Sequence, residues 1–286
     1  MNLEKLLTFK IPALEAKLTA RDAMLYALGV GVGDRPEDPR DLQFLFEKGE
    51  QPLLIVPSIV NVLCHPGGWV MAPELEINWV KLLHGEQGFE IHKPLQAELS
   101  YVSSNELLGV LDKGAGKGAM LFLRKQLREA KSGELVSTID STYVLRGDGG
   151  CGSTITEAPT PHAIPDRAPD ATVELATLAR AALIYRLSGD YNPIHADPAT
   201  ARKAGFDKPI LHGLCTLGVA TRAVMRACCD DDPKRLRSLK LRFSSPVYPG
   251  ETLATEVWRD GAVVSFRVRS VERDLVVLNN GCASVV

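Results

Sequence analysis

The sequence predicts an α+β protein built twice, with two antiparallel sheets that each wrap around a central helix. Three observations predict it: a segment repeated in the two halves, a long apolar helix followed by alternating strands, and a Pro- and Gly-rich stretch between the halves. The 286 residues suit two ordinary domains better than one core. Hydrophobic residues at 45% and charged residues at 24% are ordinary globular values, so neither disorder nor a fibrous repeat is expected.

The repeat comes first because it organises everything else. "RDAMLYALGVG" from Arg21 aligns without gaps with "RAALIYRLSGD" from Arg180, pairing Tyr26 with Tyr185 and Leu28 with Leu187. Two fainter echoes follow in the same order: "PSIVNVL" from Pro57 with "PILHGLCTLG" from Pro209, and "FEIHKPLQAEL" from Phe89 with "LRFSSPVYPGETL" from Leu241. The stretch from Gly147 to Thr172 lacks helical or strand periodicity and reads as a linker. The expected division is a first domain over 1–150, a linker over 151–171 and a second domain over 172–286.

In the first half, the segment from Arg21 has helical spacing. From Gln51 to Pro73 there is no Asp, Glu, Lys or Arg, yet Pro52, Pro57, Pro66, Gly67 and Gly68 interrupt the run. Those breaks argue against a membrane span and for a buried helix with flanking turns. "FEIHKPLQAELSYVSSNEL", "GAMLFLRKQLREA" and "ELVSTIDSTYVLRG" then read as strands.

In the second half, "ELATLARAALIYRLSG" and "DPATARKAGF" are helix candidates, the latter with Asp197 as N-cap and Pro198 in the first turn. "GLCTLGVATRAVMRACC" is apolar over about four turns, as a helix enclosed on most sides is. "SLKLRFSSPVY", "ETLATEVWRD", "AVVSFRVRSVER" and "LVVLNNGCASVV" alternate apolar and polar residues. A sheet curled round such a helix, twice over, is a double hot-dog fold.

The net charge of -2 leaves no basic excess for a nucleic acid or an anionic membrane surface, so neither is expected as a partner. The six cysteines include no C-x-x-C pair and read as reduced thiols. No signal-peptide run opens the sequence, and "CASVV" lacks a peroxisomal tripeptide, so the expected location is cytoplasmic. No metal or redox cofactor is expected: apart from His195 with Asp190, the six histidines show no paired ligand spacing, and "GVGVGDRP" is a weak nucleotide-loop echo.

The chemistry concentrates in "YRLSGDYNPIHADP". Asp190 and His195 lie five residues apart, and Pro193 prevents a straight helix between them. A tight loop brings the two side chains to one side, where a carboxylate and an imidazole, with ordinary pKa values of roughly 3.9 and 6.5, form an acid/base pair for one water. Taken alone, the same residues also make a plain structural turn with Asn192 bonding nearby amides. Downstream, "PILHGLC" puts Gly213 at the start of the apolar helix, where amides lack helical partners and favour negative charge. Gly213 also admits close approach of a ligand, or simply eases the turn into the helix, and His212 is a cap, a buried spectator or part of the site.

"YRLSGDYNPIH" followed by "ARKAGFDKPILHGLCTLG" resembles the hydratase 2 motif of the MaoC-like dehydratase family, the (R)-specific 2-enoyl-CoA hydratases, and is similar to the hydratase 2 unit of peroxisomal multifunctional enzyme type 2. "LTARDAMLYALGVGVG" resembles the opening of that unit. The resemblance implies reversible addition of water to trans-2-enoyl-CoA, giving (3R)-3-hydroxyacyl-CoA, with Asp190 and His195 as catalytic dyad, Asn192 supporting them and the Gly213 amide holding the thioester oxygen. One such donor is worth about 3 to 4 kcal/mol of barrier. Which dyad member is the base stays open. Tyr185, His212, Leu214, Lys208, Arg202 and Arg242 are expected substrate contacts, coenzyme A enters only as part of the acyl-CoA substrate, and a homodimer is expected.

In the ungapped repeat, Gly31 stands where Asp190 does and Pro36 where His195 does, so the first half lacks the dyad. The resemblance implies that this half makes room for a long or bulky acyl chain, with the charge-free segment as its wall, as core of the first half, or as both. Three alternatives stand beside the hydratase: a hydratase/dehydratase for a branched or dicarboxylic acyl-CoA, a hot-dog thioesterase, and a non-catalytic acyl-CoA binding protein.

Overall fold

Ten strands form one antiparallel sheet in the computed structural model, which describes residues 1–49 and 52–286. They are β1 (Glu15–Leu18), β2 (Leu82–Ile91), β3 (Leu99–Asp112), β4 (Ala119–Glu129), β5 (Leu135–Leu145), β6 (Ala171–Ala176), β7 (Leu236–Phe243), β8 (Thr252–Asp260), β9 (Val263–Ser270) and β10 (Leu275–Val285). Their order, β1-β3-β4-β5-β2-β7-β10-β9-β8-β6, reads the same way inward from either end. The repeat in the sequence is therefore a repeat in topology, β1 to β5 matching β6 to β10 with β2 and β7 at the centre.

The two sheets expected from the sequence are joined through β2 and β7, where Gly88 pairs with Lys240 and Phe89 with Leu239. A Cβ on Gly88 would lie 2.8 Å from that of Lys240, so only glycine lets the central strands meet. Alternation sets the faces. Along β9, Val264, Phe266 and Val268 are buried, while Arg267 and Arg269 pair with Glu256 and Asp274.

Six helices complete the chain among the described residues: α1 (Leu3–Thr8), α2 (Ala20–Gly29), α3 (Pro39–Leu42), α4 (Ala181–Tyr185), α5 (Pro198–Lys203) and α6 (Gly213–Cys228). A capping box of Thr19 and Asp22 starts α2, and Asp197 accepts from the Ala199 and Thr200 amides at the start of α5. The long helix α6 is enclosed as its composition predicts, with Leu217, Ala220, Ala223 and Val224 fully buried. Burying each such leucine contributes about 1.5 to 3 kcal/mol. Gly218 lets α6 cross the end of α2 closely, because a Cβ there would lie 2.4 Å from Val30.

Two helix expectations are corrected. The segment read as "ELATLARAALIYRLSG" begins as strand, Glu174 and Leu175 pairing with β8, and only Ala181–Tyr185 is α-helical. The charge-free segment, whose first residue Gln51 lies outside the described residues, carries a 3-10 turn over Pro57–Asn61 instead of a long helix. Its prolines explain this: Pro57 starts the turn, and Pro66 with Gly67 blocks extension. The first half thus has no central helix comparable to α6 among the described residues.

The linker region crosses the outer face of the sheet. Ser153 and Thr154 accept from the Asp112 and Val110 amides, Asn280 donates to the His162 carbonyl, and Trp258 donates to that of Arg167. With β2 and β7 it bounds a groove of about 690 Å³ on the face away from α6. No helix among the described residues is long and apolar enough to cross a membrane.

Candidate active site

The site is built by local turn chemistry. Gly189, at φ +118°, ends a 3-10 turn in a conformation that costs glycine least and delivers Asp190 into a loop. The Asp190 carboxylate accepts from the Asn192 amide at 3.1 Å, and the Asn192 side chain in turn caps the 3-10 turn Pro193–His195 by accepting from Ile194 N at 3.1 Å. Asn192 is exposed, and it acts on the site by fixing the turn that presents His195.

His195 is buried, and its Nδ1 lies 2.9 Å from the Ile210 carbonyl. A carbonyl only accepts, so Nδ1 carries the proton and Nε2 offers its lone pair to the site. His212, the N-cap residue of α6, is bound in the same manner: Nε2 donates to the Asp190 carbonyl at 3.1 Å, and Nδ1 is buried with no partner among the described residues. The two rings stack with centroids 3.8 Å apart. Ligand atoms of Asp190, His195 and His212 all fall within 4.8 Å of one another. By type and spacing these three donors also suit a divalent cation.

Burial holds the His195 imidazole below its ordinary pKa, against the upward pull of the Ile210 carbonyl and of Asp190. Burial is also the main cause that pushes His212 down to about 4, and its neighbour His195 adds to it. The pair is therefore held neutral at ordinary pH, one ring presenting Nε2 and the other Nδ1.

Gly213 opens α6, and its backbone N–H has no acceptor among the described residues. A Cβ at this position would meet the Phe243 ring at 3.1 Å, so the absence of a side chain keeps the amide open. Tyr185 is fully buried against His212, centroids 5.0 Å apart, and against its repeat partner Tyr26 at 5.7 Å. Lys208 is exposed over the Tyr248 ring, two residues before Ile210. Arg202 lies exposed in the last turn of α5. Arg242 is not brought to the dyad: it pairs with Glu86 at 2.9 Å along the rim of the groove on the outer face, because β7 turns alternate residues outward.

The repeat partner of Asp190 sits in a filled space. Gly31 has φ +85°, and a Cβ there would lie 2.7 Å from Nη1 of Arg222, a buried α6 residue that donates to the Val30 carbonyl at 3.0 Å. An acid there would sit at a φ that side chains rarely adopt and would have to displace the end of the Arg222 side chain.

Residues of the first half nevertheless face the site, and sequence reasoning missed them. His84 of β2 and Tyr143 of β5 pair across the strands with centroids 5.3 Å apart, and His84 packs at 4.9 Å on Phe243, the ring that covers Gly213. Asp190 is near enough to act on the charge of both. With Leu214, Gln87, Trp69 and Lys125 they line a chamber of about 30 Å³. Ser141 and Gln87, polar residues at inward positions of apolar-lined strands, are the signal that could have found it.

A double hot-dog with an Asp–His pair at the start of its central helix defines a class of fold and site, and comparison with known proteins fixes the family. The chain belongs to the MaoC-like dehydratase family: the MaoC-like domain matches residues 161–280, and the MFE-2 hydratase 2 N-terminal domain matches residues 17–147. It is 42% identical to 3-hydroxyacyl-thioester dehydratase Y of Mycobacterium tuberculosis, covering 94% of this chain and 93% of that one. It is 37% identical to the peroxisomal enoyl-CoA hydratase 2 of Arabidopsis thaliana, covering 97% and 93%. Against mouse peroxisomal multifunctional enzyme type 2 the identity is 36% over 97% of this chain, which spans 38% of that protein's length. The crystal structure of a MaoC-like dehydratase from Phytophthora capsici superimposes with a TM-score of 0.88 at 33% identity, covering 100% of this chain and 99% of that one.

Proposed function

We propose that the protein is an enzyme that reversibly hydrates trans-2-enoyl-CoA to (3R)-3-hydroxyacyl-CoA. The observation that carries the reading is the convergence of the Asp190 carboxylate and the His195 imidazole within 4.8 Å, beside the open Gly213 amide. His195 Nε2 and Asp190 hold one water between them. Loss of a proton from that water lets its oxygen bond to C3, and the C2–C3 π electrons move onto the thioester oxygen as an enolate. The Gly213 N–H, at the positive end of α6, stabilises that charge. Return of a proton to C2 from the same pair completes the addition with atoms balanced. His212 holds the Asp190 loop through its backbone carbonyl, and Asn192 holds the turn of His195.

Coenzyme A enters as part of the substrate, and the steps above need neither a metal nor a redox cofactor. Lys208 and Arg202, exposed on the side of the Ile210 loop and α5, supply positive charge for its phosphates. The second half carries the chemistry, and the first half, with Arg222 against Gly31, serves as a non-catalytic unit that takes the acyl chain beside Leu214. The free cysteines support a reducing compartment, which we take to be the cytoplasm. A homodimer is the proposed assembly, for which exposed Trp79, Val80 and Leu83 offer apolar surface.

The test follows the conjugated enoyl thioester absorbance with crotonyl-CoA and decenoyl-CoA, then the chirality of the product. Hydroxyacyl-CoA of (R) configuration is expected. Release of free coenzyme A would point instead to a thioesterase, and an (S) product would overturn the stereochemical assignment.

A further inference from the structure

Unpaired polar atoms gather on one side of the dyad. Among the described residues, eight buried side-chain nitrogen or oxygen atoms lack a partner, and four of them belong to Tyr185, Arg186, Ser188 and His212. Such atoms cost stability until a partner reaches them, so their concentration beside Asp190 points to a ligand. The first half has no counterpart. In the ungapped repeat, Arg186, Ser188 and Asp190 stand where that half has Ala27, Gly29 and Gly31, while Tyr185 matches Tyr26. The half without the dyad thus also lacks the arginine and the serine, although it keeps the tyrosine.

Arg186 is the cation of the group. It opens the 3-10 turn Arg186–Ser188 that leads to Gly189 and Asp190, and its side chain is half-buried. Its Cζ lies 5.0 Å from the centroid of the exposed Tyr191 ring, which places the guanidinium at the rim of the catalytic loop. Nε is buried without an acceptor, and the side chain pairs with no carboxylate among the described residues, Asp190 included. It is near enough to His212 to act on the charge of that ring. A guanidinium carries five N–H donors and no acceptor and stays charged, so whatever binds it must bring oxygen acceptors. The alkyl chain of an enoyl-CoA has none. With the thioester oxygen at Gly213, the acceptors left are the amide carbonyls and the phosphates of the coenzyme arm.

We infer that Arg186 is a further substrate-binding residue, which holds an oxygen acceptor of the coenzyme A arm, phosphate or amide carbonyl, at the rim of the catalytic loop. The inference rests on the hydratase reading above for the identity of the substrate. Tyr191 steadies the guanidinium, and the arm is thereby gripped by the same loop that presents Asp190 and His195.

The experiment measures the Kd of free coenzyme A and of pantetheine by titration calorimetry, with kcat and KM for crotonyl-CoA, in the wild type, in Arg186→Met and in Arg186→Gln. Both variants should raise the Kd of coenzyme A and the KM for crotonyl-CoA at least tenfold, the effect of losing one charged donor, and leave kcat within about threefold. A damaged catalytic loop would not produce that split. A pantetheine Kd that rises in step assigns the amide carbonyls, and one that does not assigns the phosphates. If Arg186→Met does not fold, Arg186→Gln, which keeps a polar group on the turn without the charge, decides alone. A wild type that binds no coenzyme A, or a folded variant with the wild-type Kd, overturns the inference and leaves the hydratase reading intact. So does a tenfold loss of kcat with KM unchanged, which would make Arg186 a support of the loop. A wild type that binds coenzyme A through Arg186 yet hydrates no enoyl-CoA removes the reading and keeps the contact.

Discussion

The rings of His195 and His212 stack at 3.8 Å, and each gives one nitrogen to a backbone carbonyl, His195 to Ile210 and His212 to Asp190. Each histidine thereby fixes its own tautomer while tying two stretches together, the loop that carries the dyad and the Ile210–His212 stretch that leads into α6. A protonated ring here would face a second ring at van der Waals distance in a buried place, which is why both are held neutral.

The first prediction concerns the dyad. Asp190→Asn and His195→Gln should each lower kcat by about 10²- to 10⁴-fold, the range that a positioned acid or base supplies. Their far-ultraviolet circular dichroism should match the wild type, since neither side chain belongs to the apolar core. Near-normal turnover in either variant removes that residue from the chemistry.

A second prediction is the pH dependence. Neutral His195 is the competent form, and its pKa is lowered, so activity should persist as pH falls through 6.5, the ordinary histidine value. The acid limb of kcat/KM should lie below that of an exposed histidine. Stability carries its own signature. His212 titrates at about 4 when folded and near 6.5 when unfolded, so below pH 6.5 the unfolded chain binds the extra proton. Stability present above that pH is lost as pH falls towards 4, by up to about 3 kcal/mol, and urea melts at stepped pH measure it. His212→Asn should flatten that dependence.

The third prediction isolates the oxyanion donor. Gly213→Ala would place a Cβ 3.1 Å from Phe243, close enough that the ring must give by a few tenths of an ångström. Gly213 is not at positive φ, so alanine suffers no backbone strain there, and the stability loss should stay near 1 kcal/mol. Turnover should fall at least tenfold, because the methyl group stands where the thioester oxygen approaches the amide. An alanine variant with wild-type kcat/KM would remove Gly213 from the mechanism.

Much of this was legible in the sequence for physical reasons. The strands other than β1 and β6 announced themselves through alternation, α6 through its unbroken apolar circumference, and the loop of Asp190 through Gly189, Asn192 and Pro193, whose turn preferences are local. What stayed hidden depends on long-range pairing. Nothing near His84 shows that β2 joins β7 and so brings Tyr143 and His84 opposite Phe243. Arg242 reads as a substrate contact because its partner Glu86 is distant in the chain. The charge-free segment was read as helix because apolar content is common to buried helices and buried irregular chain, and only Lys125, from a strand much later in the sequence, shows where its carbonyls find donors.

The last prediction follows a chain of amides whose direction one carbonyl decides. The Ser58 carbonyl can only accept, so Asn61 must present its Nδ2 there at 2.8 Å and turn its Oδ1 towards Gln87. Gln87 then donates through Nε2 at 2.7 Å, and its Oε1 accepts from both Ser141 and His84, each at 2.7 Å. His84 therefore carries its proton on Nε2, and the ring is fixed between Tyr143 and Phe243 with Nδ1 as the acceptor. Gln87, 3% exposed, is the junction of this network. Gln87→Leu keeps most of the volume but strands Asn61, Ser141 and His84 together in a low-dielectric site, and should cost about 1 to 3 kcal/mol or more in urea denaturation. Ser141→Ala removes a single donor that Gln87 Oε1 still replaces with His84, and should cost less than half as much. Equal losses in the two variants would show that the polar chain is not cooperative, and would separate the packing of His84 from the orientation its hydrogen bond imposes.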